Sequence, residues 1–243
     1  MTARPMIFSA PMVRAILENR KSMTRRVLKP QPDGLPFLGL YGPGLTAVWG
    51  LSDPAEQGSL PDHTVRLPYM PGDEFWVREA WRTEARFDPL PPRDVPRGAD
   101  VSYEADYDRE PNDGGRGRFR PGMFLPRWAS RITLRVKAVK VERLQEISEE
   151  DAMAEGVIWQ EPTQEDHDEW AQCQAETGED IGQIKGVWIA PGTRQGYGLR
   201  RDDPRWGPTA ACAFRQLWNS INGDGSWDAN PWVAAYTFER VKP

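Results

Sequence analysis

Cysteine and histidine are scarce in this sequence, with two of each among 243 residues. Cys173 and Cys212 share no ligand spacing, and His63 and His167 are isolated. A structural zinc site needs about four Cys or His ligands, and a Ser-His-Asp triad needs a histidine beside its nucleophile. We therefore expect no metal, no cofactor and no histidine-based triad, and two free thiols in a reducing compartment.

Long apolar runs are also missing. Hydrophobic residues make up 39% of the chain and the mean hydropathy is −0.67. No stretch reaches the roughly 20 apolar residues that a membrane-spanning helix needs. Pro5 and Pro11 interrupt the first residues, which therefore do not resemble a signal peptide. We expect a soluble, cytoplasmic protein that does not bind membranes.

Glycine, proline and tryptophan are abundant by contrast, at 22, 23 and 11 residues. Glycine and proline at this level predict long irregular connections around a compact centre. We place three irregular insertions, at about 31–65, 83–124 and 159–205, in a single domain that spans residues 1–243. The excess of tryptophan suits either sheet packing or platforms on which bases stack.

The remaining segments predict an α+β fold. Alternating apolar residues predict strands over 74–82 and 131–144 and a closing strand over 232–238. Helical spacing predicts helices over 11–20 and 209–222, and Ser148 is expected to cap a short helix that ends at Gly156. After Ala138 the alternation slips by one residue, which predicts a β-bulge of the kind that bends barrel walls.

Charge is segregated along the chain, although the net charge is only −5. Residues 145–181 contain 13 acidic and no Lys or Arg residues, so the rest of the chain holds 31 basic against 23 acidic residues. The first thirty residues carry seven basic residues and one acidic residue, Glu18. A basic face on an acidic protein is typical of binding to an anionic ligand, and solvated surface charge is the alternative.

The densest basic cluster lies at the predicted turn from the first helix to the second strand, over residues 20–26. An amine, a hydroxyl and guanidinium groups in one turn can hold a phosphate or a polarised carbonyl. Positive neighbours favour the neutral amine of Lys21, which would activate the Thr24 hydroxyl as a nucleophile. Judged on these residues alone, a solvated basic turn is the preferred interpretation.

Two glutamates occupy unusual positions. Glu155 directly precedes Gly156 at the end of a predicted helix, where the helix dipole disfavours a charged carboxylate and suits acid–base work. Glu79 shares a predicted strand face with three apolar residues. A carboxylate there needs a partner, so we expect an internal salt bridge to an arginine, with a position near a pocket as the alternative.

Several tryptophans lie beside polar residues at predicted strand entrances, namely Trp128 near Ser130 and Arg131, and Trp227 and Trp232 around Asn230. Such positions suit base stacking, and packing against the insertions is the equal alternative. The candidate residues for substrate binding are Arg20, Arg25, Arg26, Trp76, Arg78, Glu79, Trp128, Ser130, Arg131 and Asn230.

Five motifs, in this order, make the chain resemble ASCH-domain proteins. They are Phe8 to Leu17 followed by Arg20 to Arg26, Pro71 to Asp73 with Trp76 to Glu79, Pro126 to Arg131, and Ile147 to Gly156; the run Trp227 to Trp232 resembles the longer, prophage-associated members. The similarity covers around half of the chain and little of the insertions. It implies a PUA-like mixed β-barrel with flanking helices and a cleft for RNA or a modified nucleoside.

The resemblance also implies catalytic residues. Bacterial N4-acetylcytidine amidohydrolases of this kind place a lysine and a threonine in the helix-to-strand turn and a glutamate at the end of the later helix, and Lys21, Thr24 and Glu155 match them. In this hypothesis Thr24 attacks the amide carbonyl, Lys21 takes its proton and Glu155 protonates the leaving amine. Arg25 or backbone N–H groups would stabilise the oxyanion. We expect alanine at each catalytic position to abolish most of the turnover and to leave stability almost unchanged.

Two other functions stay open at this point. The first is a module that binds RNA or a modified base without catalysis, and the second is an RNA-cleaving enzyme that uses the same paired basic and acidic side chains. This chain is about twice as long as those amidohydrolases, and its insertions could reshape the cleft. The sequence leaves the substrate and the oligomeric state open.

Overall fold

The computed structural model describes residues 3–32, 34–51, 62–107, 116–161, 186–192 and 209–241, with isolated positions between 164 and 175. The chain forms two compact units. The first contains Met1–Arg14, Ser22–Leu144 and Pro231–Pro243, and the second contains Ala15–Lys21 and Gln145–Asn230. The predicted α+β class is confirmed. The single domain with three insertions stays a prediction.

The elements have the following bounds in chain order. The strands are β1 (Arg4–Ile7), β2 (Met23–Val27), β3 (Phe37–Tyr41), β4 (Thr46–Trp49), β5 (His63–Arg66), β6 (Glu74–Arg78), β7 (Trp81–Arg82), β8 (Ser102–Tyr103), β9 (Thr133–Arg143), β10 (Ile158–Gln160), β11 (Val187–Ile189) and β12 (Trp232–Val241). The helices are α1 (Ala10–Leu17), α2 (Glu149–Ala154) and α3 (Ala210–Asn222). In the described ranges, no helix combines the length and the apolar character needed to cross a bilayer.

The first unit is built on a five-stranded sheet in the order β1-β6-β9-β12-β2. β1 runs parallel to β6, and the other neighbours are antiparallel. An aromatic cluster of five buried side chains packs in this unit with ring centroids 5.4 to 6.4 Å apart: Phe8, Tyr69, Phe75, Tyr236 and Phe238. Burial of one such ring stabilises the fold by roughly 1.5–3 kcal/mol, so the cluster anchors the sheet.

The predicted β-bulge is present in β9. Thr237 of β12 is opposite Ala138, whereas the next residue, Phe238, is opposite Val136. Lys137 is therefore the extra residue, one position before the slip that the alternation indicated. Its exposed side chain forms an ion pair with Glu239, with Nζ 3.4 Å from the carboxylate oxygen.

The first predicted insertion is less irregular than its composition indicated. In its described residues, β3 and β4 pair antiparallel, β5 adds to β4, and Trp49 is fully buried. The strands have four or five residues, and Gly39, at φ +146°, interrupts the alternation within β3. Residues 33 and 52–61 of this insertion lie outside the described residues.

The other two predicted insertions differ in how far the structure describes them. In the second, β7 pairs with β8 next to a small core that contains Trp81 and Leu125, and residues 108–115 lie outside the described residues. In the third, β10 pairs with β11, and the described positions between 164 and 175 are helical. The rest of the third insertion lies outside the described residues.

Helices α2 and α3 begin and end within two residues of the positions that the sequence indicated, whereas α1, predicted over 11–20, ends at Leu17. The Ser148 hydroxyl accepts a hydrogen bond from the Asp151 N–H at 3.1 Å, which caps α2. α3 begins after Thr209 and ends at Gly223, and it buries Phe214, Leu217 and Trp218. Ile221, which shares their helical spacing, is instead 54% exposed because it lies in the last turn of α3.

Candidate functional site

Lys21 and Glu155 form a buried ion pair in the second unit. The Lys21 Nζ atom lies 2.5 Å from the Glu155 Oε2 atom and also donates to the Glu155 backbone oxygen at 2.9 Å. The two side chains are 0% and 3% exposed. Two of the three predicted catalytic residues, 134 positions apart in the chain, are therefore in direct contact.

The local backbone explains how the two residues are placed. After α1, the N–H groups of Arg20 and Lys21 both donate to the Ala15 carbonyl, at 2.8 and 3.0 Å. Glu155 follows α2 as its C-cap residue, and its N–H donates to the Asp151 carbonyl at 3.0 Å. Lys21 thus lies in the turn after α1, and Glu155 lies directly after α2.

Gly156 brings the α2 end close to the stem of Lys21. Its φ is +100°, a conformation that residues with a Cβ rarely adopt. A Cβ at this position would lie 2.9 Å from the Pro191 side chain, 3.3 Å from the Lys21 Cβ and 3.4 Å from the Ala15 Cβ. Glycine therefore permits both the turn and the close approach.

The burial of the pair changes one of our expectations. Lys21 is 2% exposed, Thr24 4% and Glu155 2%. Removal of one partner of a buried ion pair leaves an uncompensated charge and typically costs about 3–5 kcal/mol. For Lys21 and Glu155 this burial replaces the expectation of almost unchanged stability with the expectation of a large loss.

Thr24 belongs to the first unit, where it lies on β2 directly opposite Tyr236 of β12. The described part of the structure gives its hydroxyl no hydrogen bond. A serine or threonine hydroxyl that acts as a nucleophile needs a base to activate it. The assignment of Thr24 as the nucleophile stays a prediction.

Arg25 lies on the other face of the sheet from Thr24, since neighbouring residues of a strand point to opposite faces. Its Nε and Nη2 atoms donate to Glu142 Oε1 at 3.1 and 2.8 Å, and its side chain is 0% exposed. Lys140 also pairs with Glu142, at 2.7 Å. The sheet geometry therefore gives no support to the predicted contact between Arg25 and an oxyanion formed at Thr24.

The other basic candidates near the start of the chain also have partners within their own unit. Arg20 donates to the Glu18 carboxylate at 2.6 Å, on the surface. Arg26 donates to the Ile7 carbonyl at 2.8 Å, and its guanidinium lies 5.3 Å from the centre of a phenylalanine ring, that of Phe8. These contacts are compatible with ligand binding but do not indicate it.

Trp76 and Arg78 share one face of β6, as predicted. The Arg78 guanidinium lies 4.8 Å from the centre of the Trp76 ring, a cation–π contact, and Trp76 is 5% exposed. Arg127 also approaches this ring, at 5.7 Å. The Trp76 ring is thus packed against guanidinium groups of the chain itself.

The internal salt bridge predicted for Glu79 is confirmed. Arg131 donates through Nε to Glu79 Oε1 at 3.0 Å and through Nη2 to Oε2 at 2.9 Å. Burial raises the pKa of the Glu79 carboxyl, and the hydrogen bonds from Arg131 oppose this effect only in part. Burial is the largest single influence on Arg131 and lowers its pKa, but the hydrogen bonds to Glu79 and Asp106 and the charges of those carboxylates together raise that pKa.

The three remaining candidates have structural contacts. Trp128 packs against the small core of the second predicted insertion, which favours the packing interpretation. The Ser130 hydroxyl donates to the Val77 carbonyl at 2.8 Å. Asn230 has a φ of +43°, and its side-chain oxygen accepts a hydrogen bond from the Gln145 N–H at 2.9 Å.

Tyr236 is a residue that our sequence analysis did not treat as functional. It is 1% exposed, and its hydroxyl has no hydrogen-bond partner in the described structure. Alternation in the closing strand placed Tyr236 on the core face together with Phe238. The sequence did offer a signal for a functional role, since a tyrosine on a core face buries a hydroxyl that needs a hydrogen-bond partner, whereas a phenylalanine does not.

No family model matches the chain, and neither a curated protein nor a solved structure matches it. Among the described residues, no group of three or more His, Cys, Asp or Glu side chains is placed to hold a metal ion. The similarity to ASCH-domain proteins therefore stays a prediction from motifs. The Lys21–Glu155 pair is an observation of the structure itself.

Proposed function

We propose that this protein is an ASCH-type, PUA-like protein that hydrolyses an amide on a nucleoside, such as the acyl group of an N4-acyl cytidine. The observation that carries the proposal is the buried Lys21–Glu155 pair. The motifs assign proton-transfer roles to these two residues, and the Lys21 Nζ and Glu155 Oε2 atoms lie 2.5 Å apart. The PUA-like barrel is proposed from the motifs; the described strands of the first unit form a five-stranded sheet that does not close, and its bulge is of the kind that bends barrel walls.

The pair offers a base and an acid in one hydrogen bond. When the proton of the Lys21 ammonium moves to the Glu155 carboxylate, the products are a neutral amine and a carboxylic acid, and the net charge of the pair does not change. The neutral amine can accept a proton and the acid can donate one, as amide hydrolysis requires.

Thr24, three residues along the chain from Lys21, is the nucleophile that the resemblance implies. A bond forms between the Thr24 oxygen and the carbonyl carbon, and the hydroxyl proton moves to Lys21. Collapse of the tetrahedral intermediate breaks the C–N bond, and Glu155 gives its proton to the exocyclic nitrogen of the cytosine ring. Water then hydrolyses the acyl ester and regenerates the Thr24 hydroxyl.

The test is release of cytidine and acetate from N4-acetylcytidine by the purified protein and by Lys21→Arg. Arginine keeps the positive charge beside Glu155 but does not act as a base at neutral pH. We expect the rate to fall by at least about 100-fold, the usual size of a general-base contribution. Arg93→Lys, at a surface arginine whose side chain is 86% exposed, is the control and should keep its rate.

Two results would contradict the proposal. A wild-type rate in Lys21→Arg would exclude Lys21 as the base. If the protein binds acylated cytidine or short RNA but never turns either over, the non-catalytic binding module is the correct alternative.

A further inference from the structure

The Tyr236 hydroxyl is a buried donor without a partner in the described structure. Tyr236 is 1% exposed, so its hydroxyl has lost its hydration without an intramolecular hydrogen bond in return. Buried polar groups in folded proteins nearly always have a partner, and an exception calls for an explanation such as a bound water or ion or a functional role.

The sheet register shows which groups surround this hydroxyl. Tyr236 lies directly opposite Thr24, and side chains directly opposite each other in an antiparallel pair share one face. Arg26 is two residues from Thr24, on the same face of β2, and its opposite residue is the small Ala234. Two hydroxyls and a guanidinium therefore share one face of the sheet in the first unit.

An aromatic ring lies beside these polar groups. The Tyr69 ring is perpendicular to the Tyr236 ring, with the centroids 5.6 Å apart and an angle of 88°. The Tyr69 hydroxyl donates to the Pro5 carbonyl at 3.1 Å, so its own donor is already in use. Of these two tyrosines, Tyr236 is thus the one with a donor to offer.

The chemistry of the face favours a neutral acceptor. Burial raises the pKa of Tyr236, so its hydroxyl stays protonated and donates a hydrogen bond throughout the neutral range. The guanidinium of Arg26 already donates to the Ile7 carbonyl. A carbonyl oxygen on a planar ring suits one neutral donor beside aromatic walls better than a phosphate, which attracts several charged donors.

We propose that the Tyr236 hydroxyl is a specificity-determining donor that binds the ring carbonyl of a pyrimidine nucleoside on the sheet face that it shares with Thr24. This inference rests on the proposed function for the class of substrate. It adds a contact with the part of the base that does not react.

The test compares the wild type with Tyr236→Phe and with the matched control Tyr69→Phe. Calorimetry gives Kd for cytidine and N4-acetylcytidine, kinetics give KM and kcat, and thermal unfolding gives Tm. We expect Tyr236→Phe to weaken binding by about tenfold, the effect of one hydrogen bond, and to raise KM more than it lowers kcat. Its Tm should be unchanged or higher, because the substitution removes an unsatisfied buried group.

The control should behave in the opposite way. Tyr69→Phe loses a hydrogen bond to Pro5, so its Tm should fall while Kd stays at the wild-type value. An unchanged Kd in Tyr236→Phe overturns the inference and leaves the proposed function in place. If the same variant also has a lower Tm, the Tyr236 hydroxyl binds a structural water. Binding without turnover overturns the proposed hydrolysis alone, and Kd then decides the role of Tyr236. If the wild type binds neither nucleoside, both proposals fail.

Discussion

Substitution of Lys21 by methionine is expected to destabilise the protein strongly. Methionine keeps an unbranched apolar stem but removes the ammonium group that pairs with the buried Glu155 carboxylate, which is 3% exposed. Loss of one partner of a buried pair costs about 3–5 kcal/mol. The exposed pair of Arg20 and Glu18, with side chains 34% and 53% exposed, provides the control: Arg20→Met should cost at most about 1 kcal/mol.

A second substitution separates the charge from the packing. In the double variant Lys21→Met/Glu155→Gln no buried charge is left alone, so its stability should exceed that of Lys21→Met despite the additional change. Urea unfolding, followed by both tryptophan fluorescence and circular dichroism, gives the free energies if the two transitions coincide. The reasoning is refuted if Lys21→Met loses no more stability than Arg20→Met, or if the double variant loses the sum of the single losses.

Two further predictions concern stability. Burial raises the pKa of Glu79 above 4.5, so the folded protein binds this proton more tightly than the unfolded chain does. The stability of the wild type relative to Glu79→Gln should therefore fall as the pH rises from 4.5. Parallel pH titrations of unfolding would show it; a constant difference contradicts it. Gly156→Ala should cost at least about 1 kcal/mol more than Gly223→Ala, because both glycines have positive φ but only Gly156 faces close neighbours. Equal urea midpoints would contradict this.

Local signals predicted much of the fold. Ser148 and the carboxylates that follow it specify the start of α2 within one helical turn, and the structure has the cap there. The slip after Ala138 lies one residue from the bulge at Lys137 because alternation and register are the same property of a strand. Such features depend on neighbours in sequence, so one sequence is sufficient to find them.

Features that depend on distant residues or on broken periodicity were harder to predict. Residue types did not indicate that Lys21 and Glu155 would be in contact, since they lie 134 positions apart; only the resemblance to a family connected them. Gly39 interrupts β3, so the small sheet of the first insertion looked like a loop. Arg25 looked like a ligand-binding residue because its acidic partner, Glu142, follows far along the chain.

The measurement that tests the central claim most directly is the rate of N4-acetylcytidine hydrolysis by Glu155→Gln and by its control Glu142→Gln. Both glutamates are buried and paired with a cation, at 2.5 and 2.8 Å, and glutamine can still accept a hydrogen bond but has no acidic proton to donate. We predict that Glu155→Gln loses at least about 100-fold in rate while Glu142→Gln stays within a few-fold of the wild type. Equal rates for the two variants would contradict the assignment of the Lys21–Glu155 pair as the proton-transfer group.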